Sequence, residues 1–407
     1  MASPLTEIPD HLLAEIFLRL PDSEDLVRTS LACVSFYRVA TDDSFLRRFR
    51  RLHAPSVLGF LQAGGIFRPT MPPHPSAPAA RALARAADFY FSFIPSRCHW
   101  TVQDIRDGRV LLARDLRQEE WALAPVFRDL AVCDPLHRRY VLLPPVTHDL
   151  AASLEHPFPM VRPARCKPFL VPLGEEEAAA GETAFRVILV AHCITSLAAF
   201  VFSSSTGQWQ AAASKRWSDL GLGERDMAEM SRVHPFILSR HYAYGCFYWD
   251  WVEFGRKKLL LLDTRKMEFS IANLPRRKWS KVGIAIVEAG EGRLGIFGFH
   301  GETSSNLSYM VARDKGESPS QWQSEKTISL DSGYKYFIRD ATQRYLLLTK
   351  IEASSLENPL VNELVGYFSI DVKTLQLQRV YHKQHYFMNE AYSYINFPPS
   401  LLSSRRI

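Results

Sequence analysis

Residues 262–269 read LDTRKMEF, and the same short pattern recurs along most of the chain. An apolar residue ends a strand, an aspartate or serine opens a turn, and a large apolar residue follows six positions later. Aspartate and serine favour such turns because their side-chain oxygens accept hydrogen bonds from backbone N–H groups just ahead. The large apolar residue that follows suits a half-buried strand. The pattern therefore predicts a β-hairpin.

Copies of this hairpin are spaced along the chain after residue 88. The returning strands begin with a large apolar residue in each copy: Tyr140, Trp209, Phe269, Trp322 and Leu377. Steps of roughly 50–70 residues match one four-stranded blade, with its loops, in a propeller of the kelch type. Five copies predict five or six blades, closed by pairing of residues 89–93 with the C-terminal region. A pair of β-sandwiches is the alternative.

The first sixty residues have helical patterning instead. The first predicted helix carries one apolar stripe, bounded by prolines, that consists of Leu12, Leu13, Ile16, Phe17 and Leu20. A second predicted helix carries Leu26, Val27, Leu31 and Val34, and a third carries Phe45, Leu46 and Phe49. Three short helices cannot enclose that much apolar surface among themselves. We therefore expect another protein to cover part of it.

The N-terminal sequence resembles the F-box motif. Residues 5–21 read LTEIPDHLLAEIFLRLP, and residues 25–36 continue with DLVRTSLACVSF. The Ile-Pro, Leu-Leu and Leu-Pro pairs stand at the spacing typical of that family, and the resemblance covers residues 4–50. At residues 34–37 the chain reads VSFY, where the family usually has basic residues and a tryptophan.

This resemblance implies a partner for the apolar stripe. F-box helices bind a Skp-family adaptor, and through it the cullin and RING subunits of a ubiquitin ligase. Carried over by position, the implied contacts are Leu5, Ile8, Pro9, Leu12, Leu13, Ile16, Phe17 and Leu20, with Leu26 and Leu31 in support. For each residue the alternative is packing into the helical core. Burying a Leu or Phe contributes about 1.5–3 kcal/mol, so several together can sustain an interface of roughly 1,600 Å².

The C-terminal part resembles the F-box-associated β-propeller of large plant families. The resemblance rests on VCDP at 132–135 with LPP at 143–145, and on Gly245, YW at 248–249, LD at 262–263 and LP at 274–275. The expected fold class is α+β multidomain, with a small three-helix F-box followed by an all-β propeller. We expect the F-box domain at 1–55, the propeller at 88–400 and a tail at 401–407.

Between the two expected domains, residues 56–87 read as a linker rich in glycine and proline. Gly64 and Gly65 are followed by prolines at 69, 72, 73, 75 and 78. Proline cannot continue a helix and interrupts sheet pairing, which favours an extended spacer.

Composition and motifs point away from catalysis. The net charge of +6 comes from 49 basic and 43 acidic residues that are scattered along the chain, which argues against nucleic-acid binding. The six cysteines lack the close spacing of a zinc site, and no apolar run reaches the 18 residues that a membrane span needs. No nucleophile elbow, phosphate loop or HExxH motif is present. We expect no catalytic residue, cofactor or metal, no nucleic-acid or membrane partner, and reduced thiols in the cytoplasm or nucleus.

The sequence thus predicts a substrate-recognition subunit of an SCF-type ubiquitin ligase. The helices would bind the Skp-family adaptor, and the propeller would capture a target protein that the sequence does not identify. The alternative is an adaptor-binding or scaffold protein that works outside any ligase. A propeller enzyme would instead need ionisable residues that converge on the central channel.

Overall fold

The hairpin at residues 262–269 forms as predicted in the computed structural model of the chain. It joins two antiparallel strands, Lys258–Asp263 and Glu268–Asn273. The Asp263 carboxylate accepts hydrogen bonds from the N–H groups of Arg265 and Lys266, at 2.8 and 3.1 Å. Asp134 and Asp371 stabilise their turns in the same way. These local hydrogen bonds set the repeating unit of the fold.

The structure describes residues 8–20, 23–53, 56–95, 98–115, 127–154, 166–172, 184–193, 195–224, 226–227, 240–250, 258–275, 279–300, 305–316, 319, 321–342, 344–352, 364–384 and 391–395. The chain divides into two units, Met1–Ser56 and Val57–Ile407. In the second unit the described strands form six antiparallel sheets, which are the blades of a β-propeller. This number agrees with the predicted five or six blades and excludes the pair of sandwiches.

Five blades have four strands each. Blade 1 contains β3 (Trp100–Arg106), β4 (Arg109–Arg114), β5 (Leu130–Asp134) and β6 (Arg139–Leu142); blade 2 contains β7 (Cys166–Val171), β8 (Arg186–His192), β9 (Ser196–Ser203) and β10 (Gln208–Arg216); blade 3 contains β11 (Arg240–Ala243), β12 (Cys246–Asp250), β13 (Lys258–Asp263) and β14 (Glu268–Asn273); blade 4 contains β15 (Trp279–Glu288), β16 (Leu294–His300), β17 (Asn306–Ala312) and β18 (Trp322–Ser329); blade 5 contains β19 (Tyr334–Ala341), β20 (Tyr345–Glu352), β21 (Leu364–Asp371) and β22 (Leu377–Gln384).

The first strand of each of these blades lies innermost. Strand β3 contacts β7 on one side, and β15 contacts both β11 and β19. The sheets pack face to face through apolar side chains, as between Phe169 of blade 2 and Phe247 of blade 3, whose ring centroids are 4.5 Å apart. Of the predicted anchors, Trp209 and Phe269 are buried, whereas Leu377 is exposed although it begins β22.

The sixth blade joins the two ends of the propeller unit. Its described strands are β1 (Val57–Gln62), β2 (Phe67–Pro69) and β23 (Ala391–Ile395), in the order β2-β1-β23. Strand β23 is innermost, since it contacts both β3 and β19. Closure therefore differs from the prediction, because β1 and not residues 89–93 pairs with the C-terminal strand. Residues 89–93 lie in turns that pack between blades 6 and 1.

The segment predicted to be a linker, 56–87, lies from Val57 onward in the propeller unit, where it forms β1, β2 and helix α5 (Ala77–Ala86). Two of its prolines occupy positions that need no backbone donor. Pro69 ends the outer strand opposite Gly59, while Thr70 supplies the next hydrogen bond, to Leu58 O at 3.0 Å. Pro78 stands in the first turn of α5, where N–H groups have no partner within the helix.

The described residues of the first unit form four helices where the sequence predicts three. They are α1 (Asp10–Phe17), α2 (Ser23–Ser30), α3 (Val34–Ala40) and α4 (Asp43–Leu52). The second predicted helix is divided at 31–33, because Cys33 has the extended backbone that caps α3. Helix α4 begins after Asp42, whose carboxylate accepts a hydrogen bond from the Phe45 N–H at 2.9 Å. Another short helix, α6 (His148–Ala152), follows blade 1 in the propeller unit.

Candidate functional site

Helix α1 separates the predicted adaptor contacts into two groups. Leu12 and Ile16 are 47% and 51% exposed, and they lie one turn apart on the same side of the helix. Leu13 and Phe17 are each 2% exposed, and they pack with Phe45 in the core of the helical unit. The resemblance implies contacts for all four side chains, with packing into the core as the alternative. In the structure Leu13 and Phe17 are core residues, and Leu12 and Ile16 are exposed.

The other predicted contacts divide in the same way. Leu26 is buried in the helical core, and Ile8 and Leu20 are half-buried against it. Pro9 is exposed, and Leu31 is among the most exposed apolar side chains of the unit. Leu5 lies outside the described residues. The predicted contacts therefore divide into core residues such as Leu26 and exposed residues such as Pro9 and Leu31.

Two exposed apolar residues of α3 were missing from the predicted contacts. Val34 and Tyr37 project from α3 on the side away from the core, three positions apart. The sequence predicts Val34 on the apolar face of one continuous second helix, with Leu26, Val27 and Leu31. The extended residue Cys33 begins a new helix, which changes the direction in which Val34 points. An i, i+3 pattern counted from Val34, the first residue after the cap Cys33, would have found this pair.

Ion pairs occupy other sides of α1. The Asp10 carboxylate accepts a hydrogen bond from Arg38 of α3 at 2.8 Å, and Glu15 accepts one from Arg48 of α4 at 2.5 Å. These exposed pairs link α1 to both neighbouring helices. Leu12 and Ile16 are left as the apolar part of α1 that the unit does not cover.

The innermost strands bring two carboxyl groups to the centre of the propeller. Asp104 of β3 and Asp340 of β19 each follow a β-bulge, at Gln103 and Arg339. A bulge bends its strand and redirects the side chains around it. Each carboxyl group then bonds to the innermost strand of the next blade. Asp104 accepts from the Leu170 N–H at 2.8 Å, and Asp340 accepts from the Ser393 hydroxyl.

Asp104 has a cationic partner that reaches past the neighbouring blade. Arg240 of β11 in blade 3 donates to the Asp104 carboxylate at 2.5 Å. Its guanidinium carbon also lies 4.6 Å from the centroid of the Phe169 ring in blade 2. A second arginine, Arg106, donates to Leu170 O at 3.2 Å and lies 5.0 Å from the Tyr242 ring centroid. These contacts tie blades 1, 2 and 3 together through charge and cation–π attraction.

Asp340 has a different electrostatic environment. Desolvation by the surrounding protein raises the pKa of its carboxyl group, and the Asp104 charge acts in the same direction. The hydrogen bonds from Ser393 and from the Ala341 N–H, together with His241, lower the pKa. Their combined effect is smaller than that of desolvation, so the pKa stays raised. Asp340 therefore holds its proton to a higher pH in the folded propeller than in the unfolded chain.

The Asp340→Asn substitution should make the propeller more stable at neutral pH. A carboxyl group whose pKa is raised by folding contributes stability below its ordinary value of 3.8, and that contribution is lost as pH rises through the raised pKa. Asparagine has no proton to lose, so the decline in the free energy of unfolding with pH should be smaller in the variant. Urea unfolding measured from pH 4 to pH 8 checks this.

Asp331 offers a control of opposite sign in the same blade. Its carboxylate is exposed and pairs with Lys350 at 2.6 Å, and the hydrogen bond from Lys350 lowers its pKa. The stability that it contributes is present above pH 3.8 and is lost as pH falls through the lowered pKa. Asp331→Asn should therefore slightly destabilise the propeller at neutral pH. Equal effects of the two substitutions would contradict the assignment for Asp340.

Among the residues that the structure describes, no group of three His, Cys, Asp or Glu side chains is placed to hold a metal ion. His192 and Trp249 lie in the apolar interior of blades 2 and 3. Burial raises the pKa of the Cys133 thiol, which makes it a poor nucleophile. Within the described ranges, no helix is both long and apolar enough to cross a membrane.

The two units differ in their similarity to known proteins. Residues 5–52, which include all four helices, match the F-box-like family. No curated protein matches the chain. The chain is similar in structure to a nidogen/laminin complex, with 10% identity, a TM-score of 0.35, and 84% of this chain and 98% of that chain covered.

Two protease structures show likenesses of the same kind. The β-propeller domain of the Trilobed protease from Pyrococcus furiosus is 8% identical, with a TM-score of 0.35 and 70% of each chain covered. A puromycin-hydrolyzing peptidase from Mycobacterium tuberculosis is 10% identical, with a TM-score of 0.34 and 70% of this chain covered. The chain spans 38% of that peptidase. Likenesses of this degree carry no functional argument. The family match and the six blades show that the chain combines an N-terminal F-box-like domain with a β-propeller.

Proposed function

We propose that the chain is the substrate-recognition subunit of an SCF-type ubiquitin ligase. The F-box-like helices bind a Skp-family adaptor, and through it the cullin and RING subunits. The propeller binds a protein target. An F-box-like domain followed by a propeller is an architecture typical of non-catalytic receptors.

The observation that carries this proposal is the exposed apolar surface of the helical unit. Leu12 and Ile16 on α1, with Leu31 beside α2 and Val34 and Tyr37 on α3, remain uncovered although the unit already has a buried core. Fully burying a side chain of this kind contributes about 1.5–3 kcal/mol. A protein partner that covers these residues gains that free energy, which makes the surface a strong candidate for an interface.

The receptor acts by holding its target near the ubiquitin-conjugating enzyme. A tethered lysine meets the charged enzyme at a high effective concentration, so transfer is faster than between free molecules. No side chain of the receptor needs to take part in the chemistry. We place the complex in the cytoplasm or nucleus, a proposal supported by the free thiols of Cys33 and Cys133.

Replacing Leu12 and Ile16 together by aspartate should abolish adaptor binding. Each substitution puts a charge where the adaptor would otherwise bury an apolar group, and an unpaired buried charge is strongly unfavourable. Both side chains are about half exposed, so the helical unit should stay folded. Co-purification of the full chain with a Skp-family adaptor and a cullin checks the result, and circular dichroism checks the fold.

His11→Asp is the matched control, because His11 is an exposed polar residue on the same helix. It adds one negative charge to the helix, of the two that the double variant adds, without removing an apolar contact, so adaptor binding should persist. Full binding by the Leu12 and Ile16 double variant would overturn the contact assignment. If the wild-type chain binds the adaptor but excludes the cullin, the ligase proposal fails, and a scaffold that sequesters the adaptor is the better account.

A further inference from the structure

Lysine and arginine are distributed differently along the chain. All 13 lysines lie at or after Lys167, whereas 20 of the 36 arginines lie within residues 1–166. In the structure, this arginine-only part comprises helices α1–α6, strands β1 and β2 of blade 6, and all of blade 1. The lysines begin in blade 2, at Lys167 on β7.

The ion pairs described on α3 and α4 do not account for the preference for arginine in these helices. Arg38 reaches both oxygens of Asp10 with a single nitrogen, at 3.0 and 2.8 Å, and Arg48 uses one nitrogen on Glu15. Such one-nitrogen contacts do not use the planar fork that distinguishes arginine from lysine. In blades 2–5 lysine makes pairs of the same kind: Lys215 with Glu268, Lys258 with Asp226, Lys266 with Asp263 and Lys350 with Asp331.

The two side chains differ in one reaction that is relevant to a ligase subunit. A deprotonated lysine amine attacks the thioester carbonyl carbon of a ubiquitin-charged conjugating enzyme. A C–N isopeptide bond forms, the C–S bond breaks, the enzyme thiolate leaves, and the amine gives up a proton. An arginine guanidinium keeps its proton at every physiological pH, since its pKa exceeds 12, and therefore offers no nucleophile.

We propose that ubiquitin transfer to lysines of this receptor is confined to blades 2–5, and that arginine over residues 1–166 keeps the adaptor-binding helices unmodified. This inference rests on the proposed function. Exposed acceptors in blades 3–5 include Lys266, Lys315, Lys335 and Lys373. Ubiquitin attached to α2, α3 or α4 would place a bulky protein beside Leu31, Val34 and Tyr37 and compete with the adaptor.

The test uses the full chain in complex with the Skp-family adaptor, cullin and RING subunits, supplied with ubiquitin, its activating and conjugating enzymes and ATP. The variant combines Arg28→Lys, Arg38→Lys and Arg48→Lys, at exposed positions on α2, α3 and α4. The matched control replaces the same residues by glutamine. Diglycine remnants are located by mass spectrometry, and the fraction of receptor bound to adaptor is measured before and after the reaction.

In the wild-type chain we expect remnants on lysines of blades 2–5. The lysine variant should gain remnants at positions 28, 38 or 48 and lose adaptor-bound receptor during the reaction, whereas the glutamine control should do neither. If the complex assembles and the lysine variant gains no remnant there, this inference fails and the proposed function stands. If the wild-type chain does not assemble with adaptor and cullin, both fail.

A second variant addresses the arginine-only part of the propeller unit. Arg85 is exposed near the end of α5, and Arg85→Lys keeps both its charge and the helix. Modification at position 85 in this variant supports protection by arginine up to blade 1. If positions 28, 38 and 48 are modified but position 85 is not, arginine prevents ubiquitin transfer only in the adaptor-binding helices. The part of the inference that concerns the propeller unit is then wrong.

Discussion

Replacing Tyr394 by alanine is expected to lower the free energy of unfolding of the propeller by about 3–5 kcal/mol, the usual cost of removing a buried aromatic side chain. Tyr394 lies on the innermost strand of blade 6 and is fully buried. Its ring contacts Phe67 and Phe89, with centroids 5.6 and 5.3 Å away. Its hydroxyl donates a hydrogen bond to Gly108 O of blade 1 at 2.7 Å. One side chain thus joins both ends of the propeller unit to its first complete blade.

Two further substitutions separate the contributions of Tyr394. Tyr394→Phe removes only the hydrogen bond to Gly108, so it should cost about 0.5–1.5 kcal/mol. Tyr392→Ala truncates a half-buried ring on the same strand and should cost less than Tyr394→Ala. Urea unfolding of the three variants provides the comparison. If Tyr394→Ala and Tyr392→Ala have equal effects, closure does not depend on this contact.

The closing strand pair also has a backbone requirement. Gly59 of β1 pairs with Tyr394 beside a β-bulge, and its φ angle is 155°. A Cβ atom at this position would lie 2.3 Å from Arg68 O, which is closer than van der Waals contact allows. The outer strand β2 can therefore approach β1 only because residue 59 is glycine. Blade 6 therefore depends on two features. The backbones of β1 and β2 lie close together at Gly59, and aromatic rings pack around Tyr394 on the other side of β1.

The hairpins could be predicted because their determinants are local. Asp263, the N–H groups that it accepts from and the returning Phe269 all lie within seven consecutive residues. Repetition of that unit then indicates a propeller without any knowledge of long-range contacts. The residue four positions after the aspartate was not predicted to be special, yet Arg138, Met267 and Leu375 all have positive φ angles. Non-glycine residues rarely adopt a positive φ angle, so the sequence of the turn did not indicate it.

Closure could not be predicted in this way, because β1 and β23 come from opposite ends of the unit. Nothing in the local sequence of either strand identifies its partner. The prolines between residues 69 and 78 favoured a spacer, since proline usually interrupts sheets and helices. At the end of an outer strand and in the first turn of a helix, however, a missing N–H group costs little. Local composition cannot distinguish these positions from a linker.

The exposed apolar residues of α1 were predicted in part for a related reason. Helical periodicity places Leu12, Leu13, Ile16 and Phe17 in one broad apolar arc. Which half of that arc faces inward depends on where α3 and α4 pack, and the contacts of Phe17 with Phe36 and Phe45 settle it. Sequence alone therefore indicates an amphipathic helix, whereas tertiary packing divides its apolar residues between core and surface.

Asp104→Ala is expected to destabilise the propeller by about 3–5 kcal/mol, the cost of removing one partner from a buried ion pair. The substitution leaves the Arg240 guanidinium in a largely buried site without its carboxylate. It also leaves the Leu170 N–H without the acceptor that it now has at 2.8 Å. Both losses fall where blades 1, 2 and 3 meet, so the three blades should loosen together. Adaptor binding should persist, because the proposed adaptor contacts lie in the other unit.

The Asp104 prediction has a control in the same blade. Asp129 pairs with Arg114 at 2.8 Å but is exposed, so Asp129→Ala should cost no more than about 1 kcal/mol. Replacing both buried partners by apolar residues, as in Asp104→Leu with Arg240→Met, should recover much of the stability that Asp104→Ala loses, because no charge then remains unpaired. Denaturant unfolding of these three variants forms a double-mutant comparison. If Asp104→Ala costs no more than Asp129→Ala, the centre of the propeller is held by its apolar interfaces alone, and the contact between Asp104 and Arg240 is incidental to closure.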